Sequence, residues 1–512
     1  MEQPLIVNQF LDRAERVYGD RIAIVDEPDQ PAESWGSLTW REVAERARAQ
    51  AAGLDRLGVG VGERVAVVSH NSARLLTSFF GVSGSGRVLV PINFRLAAAE
   101  IEYIVGHCGA SVLLVDPELE DHLVTVSAPH RFTIGTVSDP ILYHFGAEPQ
   151  GWSAPDERAT ATINYTSGTT ARPKGVQLTH RNLWLNAATF GWQPGVSDRD
   201  VILHTLPMFH VNGWGMPYAV TGMGGRHVVL RKVDGHEILR RVEEHGVTLL
   251  CGAPAVLQMV LDAAATWDGP IPGHGRTRMV VAGAPPPTRT IERAEAELGW
   301  EFIQIYGLTE TSPVLTMNRA RAEYDGLDPT ARAQALGRAG APVLGIDVRV
   351  SADGEVRARG NAVMAGYWEQ PEASAEAIPD GWFHTGDGGI LDEDGYVQIL
   401  DRKKDVIISG GENVSSIEVE DALFSHAAVA EVAVIGIPHE KWGETVHALV
   451  VLAEGQTVTA EALIAHCRER LAHYKCPTGV EFRTELARTA TGKLQKFKLR
   501  EPFWAGRTRQ VN

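Results

Sequence analysis

The run YTSGTTARPKG, residues 165–175, gathers Thr166, Ser167, Gly168, Thr169, Thr170 and Lys174. Hydroxyls and backbone amides around a glycine make an anion cradle, and a lysine adds a point charge, so a polyphosphate suits these residue types. The run does not fit a Walker A loop, because Lys174 precedes its glycine and Pro173 stands where the second glycine would be. The flanks ATINY and GVQLTH alternate as strands do, which predicts a loop joining two strands with no helix dipole to help it.

Three further runs carry chemistry. In QIYGLTETSP, residues 304–313, Tyr306 offers a flat face to a purine, Thr309 a hydroxyl to phosphate and Glu310 an oxygen ligand to the Mg²⁺ of a nucleoside triphosphate. In GWFHTGDGGILDEDGYVQILDRKKD, Asp387 is expected in a tight Gly-Asp-Gly turn, with Arg402 at the end of a later strand. A carboxylate that accepts from ribose hydroxyls, with an arginine beside it, can fix a nucleoside. In TATGKLQKFKLR, Lys493 follows a glycine, with Lys496, Lys498 and Arg500 beside it. Each run alone has a plainer reading: a solvated loop tip, a core tyrosine beside a surface acid, an Asx turn, a solvated basic face.

The elements that must hold these runs are α/β in texture. Residues 39–57 form the clearest helix, with Trp40, Val43, Ala44, Ala47, Ala51 and Leu54 at helical spacing and a capping box from Thr39 and Glu42. Strand and helix then alternate through most of the first 300 residues, as parallel layers require. Past about residue 340 the chain turns to short strands, and from about Asp401 a compact α+β tail follows. At 512 residues more than one domain is expected. Net charge −16 argues against nucleic acid as a partner. Cys108, Cys251, Cys467 and Cys476 lack the spacing of a metal site or disulfide framework, which suits a reducing compartment. With no apolar leader and no long apolar run, the sequence reads as soluble and cytoplasmic, without a membrane span.

Taken together and in this order, the four runs resemble the adenylate-forming superfamily of acyl-CoA synthetases, firefly luciferase and nonribosomal peptide synthetase adenylation domains. The resemblance extends to VAGAPPP, GRAGAPVLGIDVRV and AVMAGYW, and PMFHVNGWGMPY is most similar to the medium- and long-chain fatty acyl-CoA synthetases. It implies a large multi-subdomain N-terminal α/β domain (1–400), a hinge (401–405) and a small mobile α+β C-terminal lid domain (406–512). The implied reaction joins a carboxylic acid to AMP from ATP, with Mg²⁺, and then passes the acyl group to CoA.

By the same resemblance, the opening loop cradles the β- and γ-phosphates. Gly283, Ala284, Pro285, Tyr306 and Gly307 wall the adenine, with Ile399 nearby, and Asp387 and Arg402 clamp the ribose. Thr309 meets the α-phosphate, Glu310 the Mg²⁺, and Lys493 bridges carboxylate and α-phosphate during adenylation. His210 and Trp214 gate an acyl pocket shared by Val211, Gly213, Gly252 and Pro313. Rotation about the hinge would withdraw Lys493 and bring Ser409, Gly410, Gly411 and Glu412 to a pantetheine tunnel. Ala171 and Ile408 depart from residues that relatives carry. A medium- or long-chain acid is the expected substrate; an aryl acid, or a carrier-protein or amine acceptor, is the alternative, and a nucleotide-binding sensor without catalysis is a third. A homodimer is expected from the relatives.

Overall fold

The computed structural model describes residues 3–152, 156–166, 172–402, 405–409, 412–439, 442–488 and 494–505, with the Arg402 and Asn413 side chains outside that description. Two large sheets carry the first part of the chain. In one, the parallel strands Val201–His204, Arg226–Val229, Leu249–Gly252, Arg278–Val281 and Glu301–Gly307 run side by side, and antiparallel strands close both ends. In the other, Val88–Ile92, Arg64–Val68, Ala110–Val115 and His130–Thr133 are parallel. The hairpin of Thr160–Thr166 and Lys174–Thr179 joins their edge.

Strands of this kind are sandwiched on both faces, so their side chains are apolar without a break: Val65, Ala66, Val67 and Val68 are all buried. The helix Trp40–Arg56 packs its expected apolar stripe into the same core. It begins where the capping box puts it: Glu42 N donates to Thr39 Oγ1 at 3.3 Å, and Thr39 N donates to Glu42 Oε2 at 2.7 Å.

After residue 340 the texture changes as expected. A four-stranded antiparallel sheet holds Ile346–Val350, Glu355–Gly360, Phe383–Leu391 and Val397–Arg402. A five-stranded sheet then begins at Ile407–Ser409 and carries the helices Ser416–Phe424, Ala460–Arg468 and Lys496–Trp504. Its core, around Val419, Leu423, Val434, Val446 and Leu463, is separate from those of the large sheets. Mixed α/β architecture with a small last body is therefore what the chain adopts.

Asp387 does not sit in a tight turn. It lies inside the strand Phe383–Leu391, whose pairing with Val397–Arg402 slips between Gly388 and Gly389. Those glycines serve a bulge and a close approach: a Cβ on Gly389 would stand 2.7 Å from Val356 Cγ2 and 2.8 Å from the Gln398 carbonyl oxygen. Only part of the basic tail is a solvated face: Lys498 is exposed, whereas Lys496 and Arg500 are partly buried. Lys496 is partly buried, ion-paired with Glu420 at 2.8 Å and hydrogen-bonded to Ser416, which in turn donates to Asp401 at 2.5 Å. Burial opposes that ammonium, and the Glu420 and Asp401 carboxylates overcome it, so its pKa stands above lysine's usual value. Arg500 pairs with Asp405 at 3.0 Å, so both ends of the expected hinge are tied to the C-terminal helix.

The four cysteines are buried free thiols. Among the described residues no helix is long and apolar enough to cross a membrane.

Candidate active site

A cleft of about 2810 Å³ opens where the parallel strands of the larger sheet end, the usual place for a ligand in such sheets. Two of these strands hand over their last residues to the wall: Gly283, Ala284 and Pro285 follow Arg278–Val281, and Tyr306 and Gly307 end Glu301–Gly307. Opposite them stand Thr166 and Lys174, partners in register across the hairpin whose tip is the hydroxyl-rich loop. Ser167, Gly168, Thr169, Thr170 and Ala171 lie outside the described residues, as does Lys493.

The wall is cross-linked by side chains. The Tyr306 hydroxyl donates to Asp387 Oδ2 at 2.8 Å, so the expected adenine wall and ribose clamp share a bond. Asp387 is buried, and its strand pairs with the next so that Asp387 and Arg402 are opposite each other, with Ile399 also on the wall. Gly307 has no alternative, because a Cβ there would stand 1.6 Å from the Pro313 carbonyl oxygen.

Thr309 and Glu310 open the turn Thr309–Thr311 and both reach the cleft. Glu310 Oε1 accepts from the Tyr367 hydroxyl at 2.9 Å, and the Lys174 ammonium lies 4.9 Å from the centre of the Tyr367 ring. Burial, and then the Glu310 carboxylate, push the Tyr367 pKa upward, so its hydroxyl remains a donor. Among the described residues no group of three or more His, Cys, Asp or Glu could hold a metal ion. A single carboxylate such as Glu310 nevertheless fits Mg²⁺ that arrives on a triphosphate, since that ion keeps water and phosphate oxygens as its other ligands.

The expected acyl end has an unusual backbone. Val211, Asn212, Gly213 and Trp214 all have φ between 46° and 61°, one turn of left-handed helix after His210. Each L-residue pays for that conformation, the β-branched valine most of all, so the surroundings must hold it. They do so through a buried polar cluster. Asn212 Nδ2 donates to Thr162 Oγ1 at 3.0 Å, Asn164 Nδ2 donates to Asn212 Oδ1 at 3.1 Å, and Asn186 Nδ2 donates to the Trp214 carbonyl at 3.3 Å. The signal for this cluster was the polar face of that strand, Thr160, Thr162, Asn164 and Thr166, set against Ala161 and Ile163 on the other.

His210 and Val211 line the cleft, with Phe209 and Ala253 beside them. Trp214 is packed behind them at 4% exposure. At Gly252 a Cβ would meet Met279 Cε at 3.0 Å and Val256 Cβ at 3.1 Å, and Gly213 would meet Pro217. Gly213, Trp214, Gly252 and Pro313 thus form the body of the wall behind the lining.

From the C-terminal body, Arg488, Leu494, Gln495 and Lys496, on either side of Lys493, line the cleft. Ser409 and Glu412 lie on short paired strands, with Ile408 N donating to Glu444 Oε2 at 3.3 Å, and the lining does not include them. Gly410 and Gly411 lie outside the described residues.

Comparison with known proteins shows the family. The AMP-binding enzyme family matches residues 11–368, and the AMP-binding enzyme C-terminal domain matches residues 418–493. The chain belongs to the AMP-binding enzyme family. It is 36% identical to the 2-methylpropanoate–CoA ligase CCL4 of Humulus lupulus, over 97% of this chain and 95% of that one. It is 37% identical to the 4-hydroxybutyrate–CoA ligase 2 of Metallosphaera sedula, over 96% and 93%. Among solved structures, the anthranilate CoA ligase AuaEII in complex with anthranoyl-AMP superposes with a TM-score of 0.87 at 28% identity, over 98% of each chain. The sequence reading as an AMP-forming acid–thiol ligase of the adenylate-forming superfamily stands with these findings.

Proposed function

We propose that the protein joins a short or compact carboxylic acid to CoA at the expense of ATP. A carboxylate oxygen of the acid attacks the α-phosphorus, the bond to pyrophosphate breaks, and the acyl group is left on AMP, a far better leaving group than oxide. The CoA thiol then attacks the acyl carbonyl, and AMP departs. Charge moves onto phosphoryl oxygens in the first step, so the chain's task is positioning and electrostatic stabilisation.

The observation that supports adenylation is the convergence of Thr166, Lys174, Tyr306, Glu310 and Asp387 on one cleft at the carboxyl ends of parallel strands. In this reading the hydroxyl-rich loop and Lys174 hold the β- and γ-phosphates, and Asp387 with Arg402 holds the ribose. Thr309 meets the α-phosphate, Glu310 faces Mg²⁺, and Lys493 bridges the two reacting groups. Mg²⁺ would supply charge neutralisation on the phosphates. The domain boundary at 401–405, rotation about it and a tunnel beside Ser409 and Glu412 belong to the same proposal, as does a homodimer.

The choice of acid is taken from the relatives. Those named for 2-methylpropanoate and 4-hydroxybutyrate support a short or compact acid over the medium- or long-chain acid expected from sequence. An aryl acid is the second reading, favoured by the likeness to the anthranilate ligase.

The test is to supply Mg-ATP and CoA with straight-chain acids from two to sixteen carbons (about that range suffices to span the pocket sizes in question), branched short acids and aryl acids, and to identify products by mass. Acyl-CoA that peaks with short or branched acids supports the proposal. A peak at long chains restores the sequence expectation, and acyl-AMP that ignores CoA moves the search to another acceptor.

A further inference from the structure

Three buried side chains close a hydrogen-bonded ring between the strand Thr160–Thr166 and the left-handed turn. Thr162 Oγ1 donates to Asn164 Oδ1 at 3.0 Å, Asn164 Nδ2 donates to Asn212 Oδ1 at 3.1 Å, and Asn212 Nδ2 donates back to Thr162 Oγ1 at 3.0 Å. Asn164 Nδ2 also donates to the Phe209 carbonyl at 3.3 Å. That carbonyl can only accept, so it fixes which way the Asn164 amide faces, and the direction of every bond in the ring follows. All three residues are at most 2% exposed, where an unmade bond is costly.

The ring joins two walls of the cleft. Along the strand, Thr162, Asn164 and Thr166 share one face, and Asn164 and Thr166 line the cleft. On the side of the turn, Phe209, His210 and Val211 line it. An acid that attacks the α-phosphorus of a nucleotide held near Thr166 has to lie on a wall adjoining that strand, and the ring fastens the 209–211 wall to it. Apolar packing alone has no direction and would not hold four successive residues at positive φ.

We propose that Asn164, through this ring, is a positioning residue for the acid: it sets the turn that carries His210 and Val211 against the strand that carries Thr166, and so sets the acid's approach to the α-phosphate. Thr162 and Asn212 lie behind the lining and act through Asn164 and the turn. The inference rests on the proposed adenylation, with the acid at the turn.

The test is exchange between pyrophosphate and ATP without CoA, with acetate, 2-methylpropanoate and benzoate as the acids, and with acid and ATP varied in turn. Thr162→Val keeps the shape of the side chain and removes its hydroxyl, which leaves Asn164 Oδ1 and Asn212 Nδ2 without the partners they have now. The KM for the acid should rise about tenfold, while that for ATP stays within about twofold of wild type. Thr162→Ser restores the hydroxyl and should bring the acid KM back to within about twofold of wild type. Asn212→Gly opens the ring at another point while suiting the left-handed backbone, so it should repeat the same split, and it decides the matter if Thr162→Val does not fold.

Thr162→Val and Asn212→Gly proteins with the wild-type KM for the acid overturn the inference. So does a KM that rises equally for acid and ATP, or a kcat that falls with both KM values unchanged, which is what a general loss of folded protein gives. A Thr162→Ser protein as impaired as Thr162→Val overturns it too. A wild type with acid-dependent exchange while the ring variants are unchanged rejects only this inference. A wild type with no acid-dependent exchange rejects the proposed function beneath it.

Discussion

Tyr306 and Asp387 lie 81 residues apart in the chain and share a 2.8 Å hydrogen bond across the cleft wall. The bond ties a strand end of the large sheet to a strand of the four-stranded sheet, so under the proposed ribose role of Asp387 a nucleoside would also be held against Tyr306. Tyr306→Phe should therefore raise the KM for ATP by about tenfold, the usual effect of losing a hydrogen bond to a charged group. Asp387→Ala, which would lose the proposed ribose contact as well, should cost about a hundredfold in kcat/KM. Steady-state kinetics with ATP varied at saturating acid checks both, and a Tyr306→Phe protein with unaltered KM would refute the coupling.

Asn212 provides a test of the left-handed turn. Its buried side chain bonds Thr162 and Asn164, and its φ is 55°. Alanine loses those bonds and is also strained at that φ, whereas glycine loses the bonds alone. Asn212→Ala should thus be less stable than Asn212→Gly by about 1–2 kcal/mol, the reverse of the usual order in a regular element. Urea unfolding of the two variants decides the matter; alanine as stable as glycine would mean that the turn is not held left-handed in solution.

Much of this arrangement is legible in the sequence, and the rest fails for identifiable reasons. The hairpin around the hydroxyl-rich loop shows because Thr160–Thr166 and Lys174–Thr179 alternate cleanly, and the helix Trp40–Arg56 shows because its cap and stripe agree. Gly-Asp-Gly around Asp387 reads as a turn because sequence cannot distinguish a glycine that turns a chain from one that lets two strands approach closely. The left-handed turn at 211–214 has no periodic signature, so the sequence does not show the backbone that buries Trp214. Tyr367 lies in the run AVMAGYW, but its contact with Glu310, 57 residues away, is made by tertiary packing and does not show in sequence.

Three histidines make the protein sensitive to acid. Burial lowers the pKa of His180 to about 4 and of His204 to about 3, and burial with the neighbouring His204 lowers that of His227 well below 6.5. His204 Nε2 and His227 Nδ1 are 2.9 Å apart in the core, so neither can charge without losing its environment. A histidine pKa depressed in the folded state leaves stability intact above the unfolded value and removes it as pH falls below that value. At pH 5.5 each unfolded histidine has taken up most of a proton that the folded one refuses, so the three together should cost about 4 kcal/mol relative to pH 7.5. Urea midpoints at the two pH values test this, and equal midpoints would show that the histidines are protonated in the fold.

Lys493 should separate the half-reactions. Lys493→Ala is expected to lower acyl-AMP formation by at least about a hundredfold, the scale for losing a preorganised charge at a developing anion, and to leave thioester formation from supplied acyl-AMP near wild type. Rapid-quench assays of each half-reaction give the comparison. Equal losses in both would contradict a lysine that serves adenylation alone.

The central claim, that this cleft adenylates an acid before any thiol is needed, is tested most directly by isotope exchange between pyrophosphate and ATP without CoA. The account predicts exchange that requires both Mg²⁺ and a short carboxylic acid and that disappears when the acid is omitted. ATP turnover that yields ADP and phosphate, or exchange indifferent to the acid, would contradict it.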